Sequence, residues 1–154
     1  MSDYTKIDFT LPATGSTTFT LSEHLPCLIY FYPKDNTAGC TSEALDFKDL
    51  YDQFQQLGIT IVGISRDSIT SHEKFKAKFD FPFPLLSDED ETVCRQFGVI
   101  KLKKMYGRES LGIERSTFYI DRNGKIACEW RKLKVMGHVE EVLQKIREVS
   151  ESEQ

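Results

Sequence analysis

The chain has 154 residues, which is long enough for one domain with a substantial core and too short for two comfortable ones. Hydrophobic residues make up 40% and charged residues 29%, a balance that argues against a disordered or fibrous chain. The net charge of -4 without a basic block argues against nucleic-acid binding, and no apolar run approaches the roughly 18 residues of a membrane helix. Residues 1–4 are not typical of a signal peptide, so we expect a single domain over residues 1–154 that is soluble, cytoplasmic and not bound to a membrane.

The N-terminal part of the chain predicts a hairpin followed by a central strand. Residues 8–11 and 17–21 alternate around a turn-forming cluster at 12–16, which is the pattern of a β-hairpin. Ser22 is placed to cap a short helical turn. The apolar run 27–32 lies between two prolines, which favours a strand buried on both faces at the centre of the sheet.

A helix and a second strand follow the central strand. Apolar residues at spacings of three and four mark one face of a single helix: Ala44, Phe47, Leu50, Tyr51, Phe54 and Leu57. Gly58 ends this helix and residues 59–64 form a buried strand, so we expect a right-handed crossover in a parallel sheet. Asp67 or Ser68 starts the next helix, and prolines limit residues 84–86 to a short strand.

The C-terminal part predicts a short helix, a second hairpin and a closing helix. Ser87 or Asp88 caps the short helix, and an Asn-Gly turn joins strands at 116–120 and 125–130. Apolar spacing predicts a final amphipathic helix, with residues 149–154 expected to fray. These elements together predict an α/β thioredoxin-like fold, in which helices flank a mixed central β-sheet that begins with an N-terminal β-hairpin.

Four cysteines are present, and their spacing argues against a disulfide framework and a zinc site. They are Cys27, Cys40, Cys94 and Cys128. In a reducing cytosol such thiols stay free. No Cys-x-x-Cys pair occurs and no histidine lies near a cysteine at ligand spacing, so we expect no metal.

Cys40 differs from the other cysteines in its position. It follows the central strand, where open sheets bind ligands, and lies where a helix begins. Unpaired amides and the helix dipole favour an anion there, and therefore favour the thiolate form. Thr37 supplies a hydroxyl, Gly39 allows close approach to the backbone, and Pro33 fixes the entry of the loop. Each residue also suits a purely structural position: Thr37 as a helix cap, Gly39 as a turn residue and Pro33 as the end of a strand. The residues alone favour neither a reactive nor a purely structural Cys40.

A succession of motifs runs through nearly the whole chain. It comprises Pro33-x-x-x-Thr37-x-x-Cys40 within residues 31–41, Leu86-Ser87-Asp88, Cys94 before Phe97-Gly98-Val99, Lys104-Met105-Tyr106-Gly107, and Gly112-Ile113-x-Arg115-x-Thr117-Phe118-x-Ile120-Asp121. The first motif resembles the active-site motif of the peroxiredoxins, and the whole succession resembles the peroxiredoxin Q, or bacterioferritin comigratory protein, subgroup. Its order along the chain makes the resemblance highly specific.

The resemblance implies a thiol peroxidase that reduces hydrogen peroxide and organic hydroperoxides without a cofactor. Cys40 is implied as the peroxidatic nucleophile, which peroxide converts to a sulfenic acid. Thr37 and the amides near Gly39 are implied to hold the peroxide, Arg115 to supply positive charge, and Pro33 to shield the thiolate. Donors arranged in this way stabilise the charge that develops on the leaving oxygen. Arg115 in an ordinary surface ion pair is the alternative.

Two positions depart from the subgroup pattern. Leu45 stands where many members carry a resolving cysteine five residues after the nucleophile, and Ala38 replaces a common proline. An external thiol or another cysteine must therefore reduce the sulfenic acid. Cys94 is the first internal candidate, with Cys128 or Cys27 behind it because of their expected distance. The resemblance implies thioredoxin, glutaredoxin or a low-molecular-weight thiol as reductant.

Other functions and other polar residues complete the expectations. A persistent Cys40 sulfenic acid also suits a peroxide sensor or redox-regulated binding module, whereas a thiol-disulfide oxidoreductase is disfavoured without a second nearby cysteine. We expect a monomer, with a dimer as the alternative. His24, His72 and His138 are expected to be exposed and without a catalytic function. Glu43 is expected to complement the helix dipole at the surface, with a contribution to the site as the alternative.

Overall fold

The structure is a computed structural model that describes residues 6–152. The strands are β1 (Thr10–Ala13), β2 (Thr17–Thr20), β3 (Cys27–Phe31), β4 (Thr60–Ser65), β5 (Leu85–Ser87), β6 (Ile100–Met105), β7 (Arg108–Ile113), β8 (Ser116–Ile120) and β9 (Ile126–Trp130). The helices are α1 (Ala38–Asp49), α2 (Tyr51–Gln56), α3 (Ile69–Phe79), α4 (Thr92–Gln96) and α5 (His138–Ser152).

A mixed sheet of seven strands forms the centre of the molecule, in the order β2-β1-β5-β4-β3-β8-β9. β4 runs parallel to β3 and to β5, while β8 is antiparallel to β3. The predicted central strand, the crossover and both predicted hairpins are confirmed. Every residue of β3 is buried, as expected for a strand covered on both faces.

Two apolar cores cover the two faces of β3. Cys27, Ile29 and Phe31 face the first core, which α4 and the N-terminal hairpin complete. Leu28 and Tyr30 face the second core, which contains residues of α1, α2, α3 and α5. The alternation follows from the two-residue period of a strand, and it decides which side of the sheet each cysteine occupies.

The predicted single helix after the Cys40 loop is two helices. Leu50 separates α1 from α2 with a ψ of 6°, yet its amide still donates to Asp46 O. Phe47 and Phe54 therefore remain in one core, with ring centroids 6.2 Å apart. Apolar spacing is preserved across the break, which is why the sequence pattern predicts one helix.

Other boundaries also differ from the prediction. β1 includes Pro12 and Ala13, so the first turn spans residues 14–16 and not the predicted 12–16. The 3-10 turn that contains Ser22 has no side-chain cap, contrary to the prediction. α4 begins only after Glu91, whose backbone is left-handed at φ 65°. The N-cap is therefore Glu91 and not Ser87 or Asp88, but the Asp88 carboxylate accepts hydrogen bonds from the Val93 and Cys94 amides, at 3.2 and 2.7 Å, and so stabilises the first turn of α4.

The hairpin of β6 and β7 is absent from the sequence predictions. Its turn residues Tyr106 and Gly107 have φ values of 55° and 76°, the conformation of a type I′ turn. The hairpin forms a separate two-stranded sheet that leads directly to Arg115.

The C-terminal helix α5 continues through Ser152, contrary to the fraying expected from residue 149, and residues 153–154 lie outside the described residues. Within residues 6–152, no helix combines the length and apolar character needed to cross a bilayer.

Candidate active site

Cys40 lies in the first turn of α1, just beyond the carboxyl end of β3. Its side chain is 1% exposed, while the preceding residues 36–39 are exposed. The first intrahelical hydrogen bond runs from the Thr41 amide to Thr37 O at 2.9 Å. The amides of residues 38–40 precede that bond and point outward from the helix start, where they favour a negative charge.

Arg115 reaches the Cys40 thiol from the neighbouring strand. Phe31 at the end of β3 pairs with Ser116 at the start of β8, so Arg115 lies beside the loop that leads to Cys40. Its Nη2 donates to Cys40 Sγ at 3.4 Å. Gly39 permits this approach, because a Cβ at that position would lie 3.2 Å from Nη2. Arg115 is therefore not in an ordinary surface ion pair.

Glu43 is a buried member of the site, and the expectation of a surface residue is wrong. Its Oε1 accepts from Arg115 Nη1 at 2.7 Å, and the side chain is fully buried. Burial raises the pKa of Glu43 to about 7, although the Arg115 charge opposes the rise. Oε2 has no hydrogen-bond partner among the described residues. The spacing of Cys40, Glu43 and Phe47 at three and four residues marks one helix face and is the signal in the sequence that places Glu43 on it.

Thr37 holds the turn that precedes the helix. Its Oγ1 donates to Lys34 O at 2.9 Å and does not cap an α1 amide. The hydroxyl proton is therefore committed within the loop, which leaves the oxygen available as an acceptor. Pro33 is half-buried at the entry of this loop.

Cys94 and Cys27 lie on the other side of the sheet from Cys40. Both belong to the first core, whereas Cys40 belongs to the second. Burial raises the pKa of the Cys94 thiol, and the neighbouring Asp88 carboxylate adds to the rise. Burial likewise raises the pKa of Cys27. Neither thiol is brought to Cys40 by the fold.

Cys128 lies on the same side of the sheet as Cys40 but at the opposite end of the strands. It pairs with Tyr119, which pairs with Leu28 on β3. Cys128 is therefore two strands away from β3, a distance of about 10 Å across the sheet. It is also level with Leu28, about 10 Å along the strand from the end of β3 at Phe31. A disulfide needs Cα atoms within about 7 Å, so Cys128 is out of reach of Cys40.

Two of the three histidines are buried, contrary to expectation. His24 is exposed and stacks on Phe19 with ring centroids 4.4 Å apart. His138 is within hydrogen-bond distance of Thr117 Oγ1, at 2.9 Å, and burial lowers its pKa to about 4 with a contribution from the Arg115 charge. His72 is fully buried beside Asp35. Polar sequence neighbours misled the prediction because each ring is covered by distant segments.

Comparisons with known proteins agree with the geometry. The model of the AhpC/TSA family matches residues 5–128. Peroxiredoxin Bcp of Xanthomonas campestris pv. campestris is 52% identical over 138 residues, which cover 88% of this chain and 86% of that protein. Peroxiredoxin Bcp of Bacillus subtilis is 51% identical over 124 residues, which cover 80% of this chain and 79% of that protein.

A solved structure extends the similarity to three dimensions. It is the bacterioferritin comigratory protein of Xanthomonas campestris, described for its alkyl peroxide reduction activity in trapped intermediate and ligand complexes. The two structures share 49% sequence identity and a TM-score of 0.88, and the match covers 92% of each chain. These similarities confirm the predicted thioredoxin-like α/β fold.

Proposed function

Because the chain belongs to the AhpC/TSA family and is a thiol-dependent peroxidase, we propose that Cys40 is the cysteine that attacks the peroxide. The observation that carries this assignment is the double contact of Arg115 with Cys40 Sγ and the buried Glu43 carboxylate. A permanent cation at this distance from sulfur stabilises the thiolate, which is the nucleophilic form.

In the proposed reaction, the Cys40 thiolate attacks one peroxide oxygen in line with the O–O bond. The S–O bond forms as the O–O bond breaks, so sulfur loses two electrons and the peroxide gains them. The second oxygen leaves as hydroxide, or as alkoxide from an organic hydroperoxide, and takes a proton from water. Cys40 becomes a sulfenic acid.

The surroundings of Cys40 have the groups that this step requires. Arg115 and the amides of residues 38–40 are aimed at the region where charge develops on the two oxygens. Thr37 Oγ1 accepts the peroxide O–H, because its own proton is already donated to Lys34 O. Gly39 keeps space for the guanidinium, and Pro33 shields the thiolate at the loop entry.

We propose that an external thiol reduces the Cys40 sulfenic acid. The position of Cys94 in the opposite core and the distance of Cys128 support this route over an internal disulfide. A thiol condenses with the sulfenic acid to release water and form a mixed disulfide, which a second thiol then exchanges to restore Cys40. Thioredoxin, glutaredoxin and low-molecular-weight thiols are the candidate reductants.

The assignment is tested by mass spectrometry after one equivalent of hydrogen peroxide, with and without a sulfenic-acid trap. We expect the trap on Cys40 in the wild type and equally in Cys94→Ser. A Cys40–Cys94 disulfide that is lost in Cys94→Ser would establish an internal resolving thiol, and an unmodified Cys40 would refute its assignment. Sustained peroxide consumption with a disulfide-reductase system separates the peroxidase from a sensor, which would be oxidised once per chain.

Cellular context and assembly are also proposals. We propose a single-domain monomer in the cytoplasm, since Cys27, Cys40 and Cys94 carry free thiols, as a reducing compartment would keep them. Among the described residues, the exposed large apolar side chains are Leu102, Tyr106, Leu111, Ile126 and Met136. Three of them lie on the hairpin of β6 and β7, so a dimer formed through that hairpin is the alternative, which sedimentation velocity distinguishes.

A further inference from the structure

A buried polar cluster lies beside the Cys40 loop, on the side opposite Arg115. Its centre is the Asp35 carboxylate, which approaches His72 Nδ1 at 2.7 Å. Asp35 also accepts hydrogen bonds from the Tyr32 hydroxyl at 2.6 Å and the Ser71 hydroxyl at 2.8 Å. The backbone amide of Asp35 donates to Asp67 at 2.9 Å. Three groups from outside the loop and the Tyr32 hydroxyl at its start thus hold one residue of it.

The hydrogen-bond partners fix the orientation of the His72 ring. Its Nε2 lies 2.9 Å from Leu86 O, and a carbonyl oxygen only accepts, so Nε2 carries a proton. Its Nδ1 lies 2.7 Å from Asp35 Oδ2. Burial raises the pKa of Asp35, but the hydrogen bonds from His72 and Tyr32 outweigh that rise and hold it below its ordinary value. The Asp35 carboxylate and both ring nitrogens of His72 are therefore joined in one buried hydrogen-bonded cluster.

The same atoms also have the spacing of a metal site, since ligand atoms of Asp35, Asp67 and His72 lie within 4.8 Å of one another. Their lone pairs and protons are already used. Asp67 Oδ2 accepts from the Asp35 amide and from the Ser65 hydroxyl, at 2.9 and 2.6 Å. His72 Nε2 donates to Leu86 O and Nδ1 lies 2.7 Å from Asp35 Oδ2, so neither ring nitrogen is left for a cation. The arrangement favours a hydrogen-bonded cluster over a metal centre.

Asp35 lies two residues before Thr37 and five before Cys40 in the loop between β3 and α1. The cluster ties this loop to α3 through Ser71 and His72, and His72 ties it further to β5. Arg115 immediately precedes β8, on the other side of β3. The surroundings of Cys40 are therefore assembled from two sides of one strand, and the Asp35–His72 contact holds the loop on the side away from Arg115.

We propose that Asp35 and His72 are positioning residues of the peroxidase, acting as one unit that holds Thr37 and the helix start at the correct distance from Arg115. The proposal rests on the assignment of Cys40 as the reacting cysteine. Displacement of a reacting group by about 1 Å lowers rates by about a hundredfold, so the Asp35–His72 contact is expected to affect the oxidation rate strongly. Its atoms touch neither Cys40 nor Arg115 in the described contacts.

The kinetic test measures the second-order rate constant of Cys40 oxidation by hydrogen peroxide in single turnover. Asp35→Asn and His72→Gln should each lower it by tenfold to about a hundredfold, and the double variant should be no slower than the slower single variant. Ser71→Ala removes one hydrogen bond with little change in burial, and should lower the rate about threefold. Iodoacetamide alkylation of Cys40 should change less than the peroxide reaction in all of them.

Val142→Ala in the second core is the matched control for lost stability. It should unfold at lower urea concentration and retain the wild-type oxidation rate. Wild-type rates in Asp35→Asn, additive losses in the double variant, or an equal loss in Val142→Ala would each overturn the proposal. A wild-type chain whose Cys40 does not react would instead refute the assignment of Cys40 itself.

Nitrogen-15 NMR of the imidazole tests the Asp35–His72 contact without reference to activity. His72 Nε2 should carry the proton that it donates to Leu86 O, and Asp35→Asn should shift the His72 Nδ1 resonance. Addition of Zn²⁺ should leave the His72 resonances unchanged. A His72 Nδ1 resonance that Asp35→Asn leaves in place, or one that shifts stoichiometrically with Zn²⁺, would overturn the proposal.

Discussion

Replacing Glu43 by glutamine tests the buried end of the Arg115 network. Glu43 is fully buried and its Oε1 lies 2.7 Å from Arg115 Nη1. Burial raises its pKa from 4.5 to about 7 against the opposing charge of Arg115. Glutamine keeps the shape of the side chain and an oxygen for the guanidinium, but it does not titrate. The variant therefore isolates the effect of ionising a carboxyl group at this position.

The expected magnitude follows from the two pKa values. The pKa of Glu43 is higher in the folded than in the unfolded chain, so folding favours the protonated form. Its contribution to the free energy of unfolding is therefore greatest below pH 4.5 and declines until the pH passes about 7. At about 1.4 kcal/mol for each pKa unit, the decline amounts to about 3 kcal/mol. Glu43→Gln should not show it.

The assay is urea unfolding at pH 4 and pH 8, with both chains carrying Cys40→Ser so that the thiol does not titrate. The stability of Glu43→Gln relative to the parent should rise by about 3 kcal/mol between the two pH values. Glu140→Gln, an exposed carboxylate on α5, is the control and should show little change. A Glu43→Gln difference that is constant to within about 0.5 kcal/mol would refute the buried, high-pKa carboxyl.

Three further substitutions test other parts of the site and fold. Arg115→Lys keeps the charge but loses the forked contact with Cys40 and Glu43, and should slow single-turnover oxidation about a hundredfold; a loss below about threefold would contradict the proposed function of Arg115. Gly63→Ala places a Cβ 2.7 Å from the Tyr30 ring and should lower the free energy of unfolding by about 2 kcal/mol. Urea unfolding measures the loss, and an unchanged midpoint of the urea transition would contradict that packing. Leu45→Cys should produce a disulfide between Cys40 and the introduced thiol after one equivalent of peroxide, detected by peptide mapping, and its absence would contradict the expectation drawn from the subgroup.

The elements that the sequence predicts correctly are those with a repeating apolar pattern or a strong turn signal. β3 is a continuous apolar run, and the hairpin of β8 and β9 has an Asn-Gly turn. The hairpin of β6 and β7 has neither, because three lysines interrupt its apolar residues and its turn is Tyr-Gly. Local patterns report burial within one element, and this hairpin packs mainly on itself.

The site follows the same division between local and long-range information. Cys40 is recognisable from its place after a strand and at a helix start, and its motif also carries Thr37. The burial of Glu43 depends on Arg115, 72 residues away, and that of His72 depends on Asp35, 37 residues away. A charged residue is normally buried only with its partner, so its burial cannot be predicted before the partner is known.

The absence of a cysteine at Leu45 bears on how much of α1 must move in the catalytic cycle. Residues five apart on a helix are separated by about 7.5 Å along its axis, beyond the usual span of a disulfide, so a local resolving thiol requires the first turns to unwind. Leu45 packs against the second core, and such unwinding would also pull it out. An external thiol needs access only to the Cys40 sulfur, next to the exposed residues 36–39. In the proposed reduction by an external thiol, movement of the first turn alone is therefore sufficient, and the rest of α1, including Glu43 at its contact with Arg115, is free to stay folded throughout the cycle.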